Sequence, residues 1–185
     1  MATITTTPMT FEEFERLPDE LGDPKKLELL EGELIELPIP EAQHVKIGNS
    51  IRDGVRASLL EARTRGEASD LGEAFHEMGY KLPNTSYVRP DVSVTHAGQK
   101  ESRFFEGSPA IAIEVISRSN TAIMLDKKIR LYFQFGAREV WVVYPETRHV
   151  MVYTLGGVHD VQENESLTTP LVPGLKLSVF SIFAV

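Results

Sequence analysis

Between Pro109 and Tyr144 the sequence alternates strand, helix and strand, and this order constrains the fold more than any other segment. Pro109-Ala110-Ile111-Ala112-Ile113-Glu114-Val115-Ile116-Ser117 is an apolar run of strand length. Thr121 to Phe135 carries apolar residues at helical spacing, and Glu139-Val140-Trp141-Val142-Val143-Tyr144 reads as a second buried strand. The natural product is a βαβ unit, two parallel strands joined by a right-handed crossover helix. One residue does not belong in it. Glu114 puts a carboxylate in the middle of an apolar strand, and an ionised carboxylate taken out of water must be given a cation, a proton or hydrogen bonds.

The flanking segments extend the sheet. Residues 1–9 read as a disordered lead, and Thr10 with Glu13 forms a capping box that opens a short helix through Phe11 and Phe14, ended by Leu17-Pro18. Leu27 to Leu37 predicts a hairpin turning at Glu31-Gly32, and Ala42 to about Arg65 predicts a long helix that Gly66 stops. Phe75 to Leu82 and Tyr87 to Thr95 predict two strands, with Asp91 facing away from Val92 and Val94, and His96 to Ser108 predicts a loop. Ser119 or Asn120 is the expected cap of the crossover helix. Val150 to Leu155 and Val158 to Gln162 form a last hairpin around Gly156-Gly157. The sum is an α/β (α+β) fold, a mixed central sheet flanked by helices, with an N-terminal hairpin and a C-terminal β meander, in a single domain over 1–185.

Strand alternation puts Ala112, Glu114 and Ile116 on one face, and small Ala112 leaves room beside the carboxylate. If the Asp91 strand is a neighbour, both carboxylates project from one side, the geometry that Mg²⁺ accepts with water and substrate oxygens completing its shell. On the crossover helix, about 100° per residue puts Lys128 at the centre of the arc of Met124, Leu125, Leu131, Tyr132 and Phe135. Lys127 falls outside that arc and reads as solvated. An inward ammonium needs a carboxylate, so Lys128 and Glu114 are either one buried salt bridge without chemistry or part of a site.

Arg89-Pro90-Asp91-Val92, Ile113-Glu114-Val115-Ile116-Ser117-Arg118-Ser119, Lys128 to Ala137 and Val140-Trp141-Val142-Val143 resemble the Uma family of restriction endonuclease-like proteins, within the PD-(D/E)XK nuclease superfamily. Leu27 to Leu34, His44 and Leu171-Val172-Pro173-Gly174-Leu175 extend the resemblance over most of the chain. It implies a restriction endonuclease-like core that hydrolyses DNA with Mg²⁺ (or Mn²⁺). Asp91 and Glu114 would be the metal-binding carboxylates, and Lys128 would take the role of the superfamily lysine. The superfamily pattern sets that lysine two residues after the acid, where this chain has Ile116, so the charge has to come from the helix. The resemblance also makes Glu28, His44 and Ser117 accessory candidates, with Gln134 weaker still.

Other chemistry finds little support. The formal net charge is -8, which is awkward for a phosphate ligand. Arg52, Arg56, Arg63 and Arg65 on the long helix, and Arg118, Lys127, Lys128 and Arg130 near the crossover helix, are the local positive charge, and most of it reads as ordinary solvated surface. With no cysteine there are no disulfides or thiolate metal sites. His44, His76, His96, His149 and His159 lack zinc spacing, and no nucleophile elbow or nucleotide-cofactor motif is present. Phe11, Phe14, Phe133, Phe135 and Trp141 read as core packing. No leader or membrane span is visible, so a soluble cytoplasmic protein is expected. A homodimer is expected from the need to cut two strands, with the apolar tail Val179 to Val185 burying itself in a partner or in its own core.

Overall fold

The computed structural model describes residues 8–17, 26–117 and 121–185. In chain order the elements are α1 (Phe11–Glu15), β1 (Lys26–Leu30), β2 (Glu33–Leu37), α2 (Ala42–Thr64), β3 (Leu71–His76), β4 (Tyr80–Leu82), β5 (Ser86–Val88), β6 (Val92–His96), β7 (Phe105–Glu106), β8 (Ile111–Val115), α3 (Ala122–Gln134), β9 (Glu139–Tyr144), β10 (His149–Thr154), β11 (Gly157–Val161), β12 (Ser166–Leu167), β13 (Leu177–Ser178) and α4 (Val179–Phe183). A six-stranded sheet runs β11-β10-β9-β8-β6-β3, and a five-stranded sheet runs β2-β1-β5-β4-β7. In the larger sheet β8 and β9 are parallel, as a strand-helix-strand unit requires, and the other pairings are antiparallel.

Alternation along β8 divides the core. Ile111, Ile113 and Val115 pack with Ile47, Ile51, Val55 and Leu59 of α2. Ala112 packs on the other face with Leu131 and Tyr132 of α3, and with Leu30, Ile35, Tyr80 and Val88 of the smaller sheet. Helices therefore cover both faces, which the sequence pattern leaves open. The tail takes the second of its two options: Val179, Ile182 and Phe183 of α4 are buried in the core beneath α2.

Several boundaries fall as expected. The β1-β2 hairpin turns at Glu31 and Gly32, both at positive φ (52° and 83°), the conformation that a two-residue hairpin loop demands. The capping box at Thr10 and Glu13 forms, and Phe11 and Phe14 pack with Tyr87 and Phe104. Of the expected disordered lead, Pro8 and Met9 lie within the described residues, and Met9 N–H donates to the Gly32 carbonyl at 2.8 Å.

The central strands depart from expectation. Phe75 to Leu82 is not one strand: β3 belongs to the larger sheet and β4 to the smaller. Glu77 breaks the run at φ 49°, and a Cβ at Gly79 would lie 2.2 Å from the Tyr87 hydroxyl. Tyr87 to Thr95 is likewise two strands, β5 and β6, separated at Arg89-Pro90, where proline has no N–H to continue a ladder. Glu77 N–H donates to the Asp91 carbonyl at 3.1 Å, so the two chain reversals run side by side where the sheets meet. The expected loop His96 to Ser108 contains β7. The N-cap of α3 is Thr121, whose hydroxyl accepts from Met124 N–H, while Arg118, Ser119 and Asn120 lie outside the described residues. The final hairpin pairs Thr154 with Gly157, so its tip is Leu155-Gly156, one residue earlier than expected.

Candidate active site

The buried acids and the inward lysine meet on one side of the larger sheet. Glu114 is 4 % exposed and Lys128 is 4 % exposed, and Lys128 Nζ stands 2.7 Å from Glu114 Oε1. The same ammonium lies 3.0 Å from Glu28 Oε1. Glu28 is fully buried on β1, where its Oε1 also accepts from Arg89 N–H at 2.8 Å. Three segments distant in sequence are joined at one cation. Burial acts to strip the Lys128 proton. Attraction by Glu114 and Glu28, the hydrogen bond to Glu114 and the more distant Asp91 charge outweigh it, and the pKa rises above the ordinary lysine value. Lys128 is therefore an ammonium at neutral pH.

Asp91 is 5 % exposed and sits immediately before β6, at the corner where the chain crosses between sheets. Its Oδ2 accepts from Val115 N–H at 2.8 Å, which fixes the carboxyl beside the end of β8 one residue past Glu114. His44, in the first turn of α2, brings Nε2 to 3.1 Å from Asp91 Oδ1. Asp91, Glu114, His44 and Ser117 all line a cleft of about 740 Å³ at this end of the sheet. Glu28 and Lys128 do not line it. They stand inside the protein and hold Glu114 from within.

The structure brings Asp91, Glu114 and Lys128 together, with Glu28 against Lys128, His44 against Asp91 and Ser117 in the cleft lining. Gln134 is exposed on α3 and lies outside the cleft lining. The solvated reading of Lys127 is corrected: it reaches back to the first hairpin, 3.3 Å from Glu31 and 2.8 Å from Glu33. That clamp fixes the turn of α3 that carries Lys128 against the strand that carries Glu28. Sequence reasoning misses Tyr132 as a site residue, although it lies four positions after Lys128 on the same helical face. Its hydroxyl donates to Glu114 Oε1 at 2.6 Å, and burial, with the negative charges of Glu114 and Glu28, raises its pKa well above the ordinary value. The phenol remains a donor, and Oε1 of Glu114 is held by two groups at once.

Asp91, Glu28 and Glu114 are buried carboxylates, and Lys128 is the buried lysine among them. Glu28 Oε2 has no hydrogen-bond partner among the described residues, nor has His44 Nδ1. Carboxylate oxygens of this kind are the donors that a hard divalent cation takes. Among the described residues no group of three His, Cys, Asp or Glu side chains is disposed to ligate one, and Asp91 and Glu114 are the buried carboxylates that also line the cleft.

Arg52 and Arg63 of α2 and Arg65 at its C-cap are engaged elsewhere. Arg52 pairs with Asp53, Arg65 with Glu67 and the Pro173 carbonyl, and Arg63 with the carbonyls of Leu71 and Gly72. Among the described residues no helix is long and apolar enough to cross a membrane.

No curated protein sequence matches the chain at a significant level. A solved structure from Anabaena variabilis ATCC 29413, described as "a putative nuclease belonging to DUF820", superposes with a TM-score of 0.78 at 22 % identity, covering 96 % of this chain and 98 % of that one. At that identity the likeness speaks for the fold, which the two chains share over nearly their whole lengths. The Uma2 model, described as "Putative restriction endonuclease", matches residues 11–180, and the chain belongs to that family.

Proposed function

We propose that this chain is a metal-dependent endodeoxyribonuclease, with Asp91 and Glu114 as metal ligands and Lys128 as the charged residue behind them. The observation that carries this reading is the Lys128 contact to Glu114 at 2.7 Å, on the sheet face and at the sheet end where Asp91 also enters the cleft. Mg²⁺ or Mn²⁺ bound at those carboxylates would supply Lewis acidity, activating water and offsetting charge on the scissile phosphate. The protein's own share is orientation and charge. Val115 N–H and His44 fix Asp91, while Lys128 and Tyr132 fix Glu114 and leave its carboxyl directed at the cleft. With its pKa raised, Lys128 serves as a positive charge toward the developing anion, not as a proton acceptor. Glu28 holds that ammonium in place.

The family and the fold support a nuclease, and a DNA substrate follows from the family description. Cutting both strands at once would require two copies of the chain. With the tail buried in its own core, homodimerisation rests on that chemical need.

A second reading keeps the fold as a binding module with little catalytic power. It is favoured by the fact that Lys128 is engaged by two carboxylates and does not line the cleft. Calorimetric titration with Mn²⁺ tests the metal site: heat in the native protein, absent in Asp91→Ala and Glu114→Ala, is expected, and equal binding by all three would end it. Nicking of supercoiled plasmid in Mn²⁺ or Mg²⁺, abolished in Lys128→Met, separates the enzyme from the module.

A further inference from the structure

The cleft floor is acidic, and none of the described residues lining the cleft is Lys or Arg. Duplex-binding proteins draw much of their affinity from rows of Lys and Arg on phosphates. Here the lining adds an apolar and aromatic group, Pro38, Ile39 and Pro40 from the connection between β2 and α2 with Tyr144 and Pro145 from the end of β9, beside the exposed acids Glu41 and Glu146. Ile39 is 59 % exposed although large and aliphatic, and the prolines on either side restrict its backbone.

Tyr144 is held against the neighbouring strand. Across the β9-β10 pair it lies opposite His149, with ring centroids 4.8 Å apart and planes at 35°. His149 Nδ1 is 2.6 Å from Asp160 Oδ1 on the edge strand β11. An aromatic ring fixed in this way costs little further ordering when a flat ligand lies against it. Single exposed apolar side chains are common on proteins, but this group shares one cleft with the candidate metal ligands. A volume of about 740 Å³ suits a nucleotide-sized ligand and not an enclosed duplex.

We propose that the cleft takes an unpaired nucleotide of a DNA strand, its base stacked on Tyr144 and packed against Pro38-Ile39-Pro40 while the adjoining phosphate lies at Asp91 and Glu114. Paired bases in a duplex already have both faces covered by neighbours, so only an unpaired or extruded base offers a face to a protein ring. The proposal rests on the nuclease reading for its phosphate contact, but it is read out by binding.

The test is fluorescence anisotropy of a short labelled oligonucleotide, single-stranded and as the duplex, in Ca²⁺, with its length checked on a gel. The single strand is expected to bind at least tenfold more tightly. Tyr144→Ala should weaken it roughly tenfold, Tyr144→Phe should retain it, and Ile39→Ser, at an exposed position, should weaken it severalfold. Equal or tighter binding of the duplex overturns the proposal, as does unchanged single-strand affinity in both Tyr144→Ala and Ile39→Ser. Should thermal melting show Tyr144→Ala unfolded, Ile39→Ser decides. Absence of plasmid cutting with this binding pattern intact would refute the nuclease reading and leave the nucleotide site standing.

Discussion

Removing the buried ammonium should cost the protein more than removing a surface lysine ever does. Lys128 is almost fully buried, 2.7 Å from one carboxylate and 3.0 Å from another, so Lys128→Met preserves the packing volume but removes the ammonium between Glu28 and Glu114. Breaking a buried pair in this way costs about 3–5 kcal/mol. For a chain of this length that corresponds to a fall in Tm of roughly 6–20 °C. Urea unfolding measures it directly, with an unchanged m-value showing that the compact state is the same. The double variant Lys128→Met/Glu28→Gln gives the sharper reading. The amide introduced by Glu28→Gln keeps an oxygen for Arg89 N–H and removes one of the two carboxylate charges, so it should recover about 1–3 kcal/mol of coupling. Nuclease activity should stay absent in the double variant, because stability returns without the ammonium. A loss below about 1 kcal/mol in Lys128→Met, where exposed pairs fall, would refute the buried three-way contact and with it the site.

Three further outcomes follow from the same geometry. The folded-state pKa of Lys128 lies above its ordinary 10.5, so its contribution is complete below that value and disappears as pH rises through the higher one. The stability gap between native protein and Lys128→Met, from unfolding curves, should therefore stay flat from neutral pH to about pH 10 and narrow above it. Tyr132→Phe removes a donor from Glu114 and should cost about 1.5–3 kcal/mol, the range for hydrogen bonds to charged groups; it should also weaken Mn²⁺ binding in calorimetry. Saturating Mn²⁺ at about one hundred times Kd should stabilise the native protein by about 2.7 kcal/mol in thermal melts, and Glu114→Gln should abolish that gain.

Much of the site is legible in the sequence because periodicity reports direction. The arc that turns Lys128 inward and Lys127 away is the observed one: Met124, Leu131 and Tyr132 are buried with Lys128. Alternation in β8 likewise gives the face of Glu114. What periodicity cannot report is which distant segment faces which. Glu28 reads as an exposed hairpin glutamate, yet it is fully buried, because β1 pairs with β5 and lies under α3. The corner at Glu77 and Arg89-Pro90 is hidden for a similar reason. Each half of the broken strands has an acceptable strand pattern, and only the division between two sheets requires the break. Lys127 defeats the arc argument because a residue outside the core arc can still reach a neighbouring hairpin, and Glu31 and Glu33 offer it two carboxylates.

An acidic protein with a phosphodiester ligand is a contradiction only if phosphate must be met by surface cations. Here buried carboxylates are concentrated at Asp91, Glu114 and Glu28, and none of the described residues lining the cleft is lysine or arginine. Phosphate would then be met at one centre, with Lys128 as a buried contributor, and few counterions would leave the DNA on binding. The salt dependence of affinity measures that number. For a single strand the slope of log K against log salt is about -0.7 per neutralised phosphate. One or two contacts predict a slope between roughly -0.7 and -1.4. A slope steeper than about -4 would mean that six or more phosphates are neutralised. The strand would then be bound along a basic surface, and the metal-centred account of this cleft would be wrong.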